Sequence, residues 1–191
     1  MALKREDILV STEWLAERLD APDVTIIDGS WYLPDMKRDA AAEYLERHIP
    51  GAIHLDIDAV SDRNSSLPHM LPPPDQFASQ MRKAGIGDGQ RIVVYDGAGL
   101  FSAARVWWML KVMGASDVSV LDGGMPKWLA EGRPTESGKV TKQEHHFTAR
   151  LDHGAVRDLE EMRAIVSSGS AQVLDARSPG RFAAEEPEPR P

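Results

Sequence analysis

The chain of 191 residues is 42% hydrophobic and 27% charged, which places it in the soluble globular class and not among disordered chains, with room for one good core and part of a second. Its formal charge of −8 opposes nucleic acid and acidic membrane surfaces, and no stretch approaches the roughly 20 apolar residues that span a bilayer. Cysteine is absent, which excludes disulfides, thiolate metal sites and a cysteine nucleophile within these residues.

Near the start, Ile8-Leu9-Val10 is too short an apolar run for a signal peptide, so a cytoplasmic protein is expected. Ser11 or Thr12 can cap a helix in which Trp14, Leu15, Arg18 and Leu19 recur at helical spacing until Pro22. Val24 to Ile27 reads as a buried strand closed by the Asp28-Gly29 turn, and Ala40 to Arg47 as a short helix broken at Pro50-Gly51. Ile53 to Ile57 alternates as a short strand does, and Ser61 to Pro74 is proline-rich and irregular. Asp75 to Lys83 predicts a helix with Phe77 and Met81 on one face. Arg91 to Tyr95 is the clearest central strand and runs into the glycine loop Asp96 to Gly99. Ser102 is placed to cap the next helix, whose buried stripe is Val106, Met109, Leu110 and Met113, with Gly114 after its end. A strand over Val118 to Leu121 and a helix over Met125 to Ala130 follow.

Alternating strands and helices predict an α/β domain with a mainly parallel central sheet over residues 1–133. Residues 134–154 are polar and aperiodic, as a linker would be. A second unit, 155–191, echoes the first: Val156 to Glu161 followed by Gln172 to Asp175 repeats the helix and strand that end at Asp28. One helix and one strand are expected there, the start of a domain that these residues do not complete.

Three stretches, Tyr44 with Arg47 to Ala52, the loop after Val94-Tyr95, and Leu121 to Trp128, resemble a rhodanese domain. Others resemble the N-terminal half of the tandem-domain rhodanese enzymes that act on 3-mercaptopyruvate: Trp31 to Pro34, Asp56 to Asp58, Ser61 to Arg63, Pro68 to Pro72, Phe101 to Met109, Gly180 to Phe182, and Glu186 to Arg190. Each motif is weak alone, and their order along nearly the whole chain is specific. The resemblance implies two rhodanese-like domains, with the nucleophilic cysteine on a strand-to-helix loop of the second. Backbone N–H groups and a helix N-terminus there stabilise a thiolate and then a persulfide. The matching loop of the first domain carries Asp96, a carboxylate that cannot accept and release sulfur, so the first domain is expected to be a scaffold.

The same resemblance assigns Arg181 and Arg190 to gripping a substrate carboxylate and carbonyl, work suited to the planar guanidinium fork; spacing alone would leave both as surface arginines. Arg190 favours a mercapto-acid over thiosulfate. Asp58 and His69 match two members of a Ser/His/Asp relay whose serine lies on the missing catalytic loop; otherwise a lone His in a Pro-rich loop is structural. Arg105 is expected to pin an interdomain surface, to pair with Asp96, or to make an ordinary helix-surface salt bridge. Of Trp107 and Trp108, one can face the core and the other an interface. His48 reads as a structural hydrogen-bonding residue. His145-His146 has no further ligands at metal spacing, and Gly97 and Gly99 lack the Lys-Ser/Thr of a phosphate loop.

The resemblance thus implies a sulfurtransferase passing sulfur from 3-mercaptopyruvate, through a cysteine persulfide, to a thiol such as thioredoxin or to cyanide, without metal or cofactor. These residues alone are expected to be inactive, with the rest of the second domain lost or on a separate polypeptide. A thiosulfate sulfurtransferase and a non-catalytic rhodanese-like binding module are the alternatives.

Overall fold

Five short strands carry the apolar runs: β1 (Leu9–Val10), β2 (Val24–Asp28), β3 (Ile53–His54), β4 (Arg91–Tyr95) and β5 (Val118–Leu121). In the computed structural model, which describes residue 4 and residues 8–187, all pair in parallel in the order β1-β5-β4-β2-β3. Parallel neighbours need crossovers, and the helices supply them: α1 (Thr12–Ala16), α2 (Ala40–Glu46), α3 (Ile57–Val60), α4 (Pro74–Lys83) and α5 (Ala103–Val112), with α6 (Gly124–Ala130) after β5. The strand expected to be central is central, β4 lying between β5 and β2 with Val93 opposite Ile26 and Ile92 opposite Val118.

Both faces of the sheet are covered, which is why β2 is buried throughout and β4 everywhere but Arg91. One face packs Leu15, Ile26, Ile49, Val93, Tyr95 and Trp128 into a single cluster. The predicted stripe of α5 is fully buried against β4 and β5. Each such side chain contributes about 1.5–3 kcal/mol by leaving water, so these apolar faces dominate over any single surface contact. Trp128 is buried with its indole donating to the Pro134 carbonyl at 2.8 Å. Trp107 and Trp108 are both half-buried, and Trp107 donates to Val118 O at 2.9 Å.

Three expectations are corrected in this unit. The helix expected to run to Pro22 ends at Ala16, with Arg18 and Leu19 in the turns that follow. The strand expected over Ile53 to Ile57 stops at His54, because Asp56 accepts the Asp58 N–H at 2.9 Å and turns the chain into α3. Ser102 flanks α5 but makes no side-chain cap; its hydroxyl instead accepts the Trp31 N–H at 3.0 Å. Gly124, which opens α6 at φ 53, stands where a Cβ would come within 2.6 Å of the Asp96 carbonyl, so the close approach of α6 to the loop after β4 requires glycine.

The chain divides into two units, Met1–Asp152 and His153–Pro191. The polar stretch after α6 is anchored on the first. Glu136 exchanges backbone hydrogen bonds with His48, Thr148 N–H donates to Asp88 at 2.9 Å, and Arg150 N–H to Met113 O at 2.8 Å. Phe147 is buried edge-on against Phe77.

In the second unit, α7 (Leu159–Ser168) has a capping box between Asp158 and Glu161 and ends at Gly169 in the left-handed conformation. Next, α8 (Pro179–Phe182) is capped by Ser178. The strand expected over Gln172 to Asp175 does not form, and Leu174 is 82% exposed. A strand is stabilised by its neighbours on a sheet, and no described segment pairs with this one.

Candidate active site

In open parallel sheets, ligands gather at the carboxyl ends of the strands, and here the loop after β4 leaves its strand as Asp96-Gly97-Ala98-Gly99. Its tight turn gathers backbone N–H groups around the Asp96 side chain. One carboxylate oxygen accepts from Ala98, Gly99 and Leu100 at 2.9, 2.7 and 3.2 Å, the other from Phe101 and Ala103 at 2.6 and 2.8 Å. Burial by itself would raise the Asp96 carboxyl, but these donors outweigh it and the pKa is lowered. The loop is therefore an anion cradle already filled by the chain's own carboxylate. Its four residues, Asp96 to Gly99, carry no thiol.

Beside it, Asp58 and His69 come together. Asp58 stands in the first turn of α3, and its Oδ1 lies 2.5 Å from His69 Nε2. The other carboxylate oxygen accepts the Trp31 indole N–H at 2.9 Å, and the Trp31 ring meets the imidazole edge-on at 4.8 Å. His69 has φ 58, a left-handed conformation that histidine adopts more readily than most residues. Its carbonyl is held by Arg105 Nη2 from α5.

Asp58 thus stands at ion-pair distance from the Nε2 side of the imidazole, where a carboxylate can orient a ring that handles protons. The side chain of His69 is 16% exposed and that of Asp58 59%, so the pair is reachable from solvent, the imidazole being the more shielded of the two.

Arg105 does not pair with Asp96, whose acceptor capacity is taken by backbone. Its guanidinium lies over the Trp108 ring at 4.6 Å, and burial depresses its pKa. Arg181 lies in α8 of the second unit, where its N–H donates to Ser178 Oγ at 3.3 Å. Arg190 lies outside the described residues. His48 is buried with Nδ1 2.7 Å from Tyr44 O and Nε2 3.2 Å from Glu136. His146 contacts Thr148. Among the described residues, no three His, Asp or Glu side chains converge as metal ligands do.

Trp31 and Ser102 were not anticipated as parts of this site. Their partners lie 27 and 71 positions away in the chain, beyond the reach of periodicity. The available signal was a tryptophan just past the end of a central strand, where a large donor-bearing ring can reach a site.

Human 3-mercaptopyruvate sulfurtransferase is 45% identical over 188 residues, covering 95% of this chain and 63% of its own length. Bovine thiosulfate sulfurtransferase is 41% identical, with the same 95% and 63% coverage. The solved structure of the Escherichia coli 3-mercaptopyruvate sulfotransferase SseA superposes with a TM-score of 0.88 at 42% identity, covering 93% of this chain and 68% of that one. The chain thus spans a little under two thirds of the two curated relatives. The model of the rhodanese-like domain matches residues 11–131, from the cap of α1 to the end of α6, and the chain belongs to the rhodanese family.

Proposed function

We propose that the protein to which these residues belong is a sulfurtransferase that takes sulfur from 3-mercaptopyruvate and passes it to a thiol such as thioredoxin, or to cyanide. The observation that carries this reading is the Asp58–His69 pair, 2.5 Å apart, beside a strand-to-helix loop whose cradle is occupied by Asp96. The first unit offers a proton-handling pair and no nucleophile. In the proposed arrangement residues 134–154 link the units, and 155–191 begin the domain whose cysteine does the chemistry.

Arg181 and Arg190 orient the substrate through its carboxylate and carbonyl oxygen. The cysteine thiolate attacks the substrate sulfur, the carbon–sulfur bond breaks, and its electron pair departs as the enolate of pyruvate. Persulfide remains on the enzyme. The enolate takes up a proton, and the acceptor thiol must lose one before it attacks the persulfide; His69, held by Asp58, manages these protons. Trp31 and Arg105 are positioning residues, the first through the Asp58 carboxylate and the second through the His69 carbonyl.

Pyruvate release from 3-mercaptopyruvate tests the reading. The 191-residue chain alone is expected to show none above buffer, while the longer protein with the cysteine loop turns over. Turnover by the chain alone would refute the claim that the nucleophile lies elsewhere. Similarity to the bovine relative named for thiosulfate favours a second reading, with thiosulfate as donor. Arg190→Ala in the longer protein separates the two: mercaptopyruvate use is expected to fall far more than thiosulfate use, and equal losses would favour thiosulfate.

A further inference from the structure

The sulfur-transfer reading leaves unused a cavity of about 340 Å³ in the first unit, walled by α2, β3, the end of α4 and the stretch 139–142. That volume suits a small organic ligand. Every charged residue of its lining is basic: Lys83, Lys139 and Lys142, with His54 beside them. In a chain whose formal charge is −8, a cavity lined by lysines and no carboxylate is a local reversal of sign. The remaining wall is apolar, with Leu45, Ile53 and the Tyr44 ring, and Leu45 is left 48% exposed.

Two nitrogen-bearing side chains of this lining are held partly out of water. Burial lowers the pKa of the Lys142 ammonium, and no carboxylate offsets it. His54 Nδ1 is buried without a hydrogen-bond partner. Asp28, buried outside the lining, has its carboxyl raised by burial and partly lowered again by the nearby His54. A buried nitrogen without a partner and a partly desolvated ammonium on one cavity are both costly, and a bound carboxylate would pair with Lys142 and accept from His54 as its Nδ1–H tautomer.

We propose that this cavity binds a small organic carboxylate, its headgroup held by Lys142 and His54 and its aliphatic or aromatic body resting on Leu45, Ile53 and Tyr44. The site is separate from Asp58 and His69 and does not depend on sulfur transfer. The test is a titration of the protein with benzoate and, in parallel, with its neutral isostere benzamide, followed by amide NMR shifts. Saturable shifts are expected at Leu45, Ile53, His54 and Lys142, with benzamide binding about tenfold more weakly because it cannot make the charge-assisted bond. Lys142→Met is expected to weaken benzoate by a similar factor and leave benzamide unchanged. The proposal is overturned if these amides do not shift at about 10 mM benzoate, a concentration well above a millimolar Kd, or if the two ligands bind equally. The second comparison needs no variant and stands even where Lys142→Met does not fold.

Discussion

In the proposed reading Asp96 stands where a catalytic rhodanese loop would present its cysteine, and the five N–H groups that converge on it explain why a carboxylate is stable there. Asp96→Asn puts an NH₂ against backbone donors, and about 2–4 kcal/mol of stability is expected to be lost, read as a lower urea midpoint. An unchanged midpoint would contradict the cradle. The sign with pH follows from the lowered pKa: the stability that Asp96 contributes is present above the ordinary carboxylate range and is lost as pH falls through its depressed pKa. The Asn variant should therefore show a flatter acid limb. For the proposed relay, His69→Gln is expected to lower kcat of the longer protein by about 10²-fold or more. Trp31→Phe removes one hydrogen bond to Asp58 and should cost much less. Equal losses would make Trp31 more than a positioning residue. Asp58 and His69 are singled out through family resemblance alone, since a separation of eleven positions, most of it irregular chain after α3, gives no periodic sign that two side chains meet.

At the scale of elements, what could be read in advance was what depends on local pattern. The buried runs of β2, β4 and β5 and the apolar stripes of α4 and α5 name themselves, because a covered parallel strand and an amphipathic helix each leave a period in the sequence. What depends on distant partners could not be read. The Ser102 hydroxyl serves Trp31, Asp56 ends the run after β3, and the Gln172 to Asp175 segment reads as a strand only in the company of a sheet. Glycine at the start of α6 belongs to the same class, since its need arises from Asp96. Gly124→Ala combines a φ of 53 with a contact of 2.6 Å, and a loss of about 1–3 kcal/mol is expected in thermal or urea unfolding. A neutral substitution would mean that α6 can withdraw from the loop.

For the whole molecule, the two units differ in how far their elements are buried. The strand residues Ile92 to Tyr95 are at most 1% exposed, whereas α7 has no buried residue and leaves Leu159 and Val166 about two-thirds exposed. A helix of this length draws most of its stability from packing. Amide exchange in the 191-residue chain should therefore be slow across β4 and fast across 159–168; comparable protection would mean that α7 is buried in solution. Both sets of observations bear on one idea, that the first unit is a scaffold with its own loop filled and that the sulfur-carrying residue lies in another part of the protein. The most direct measurement is to treat the longer protein with 3-mercaptopyruvate, without acceptor, and map the added sulfur by peptide mass. The expected result is a persulfide on a single cysteine beyond Pro191, formed with one pyruvate per protein. Pyruvate release with no sulfur retained on the protein would contradict it.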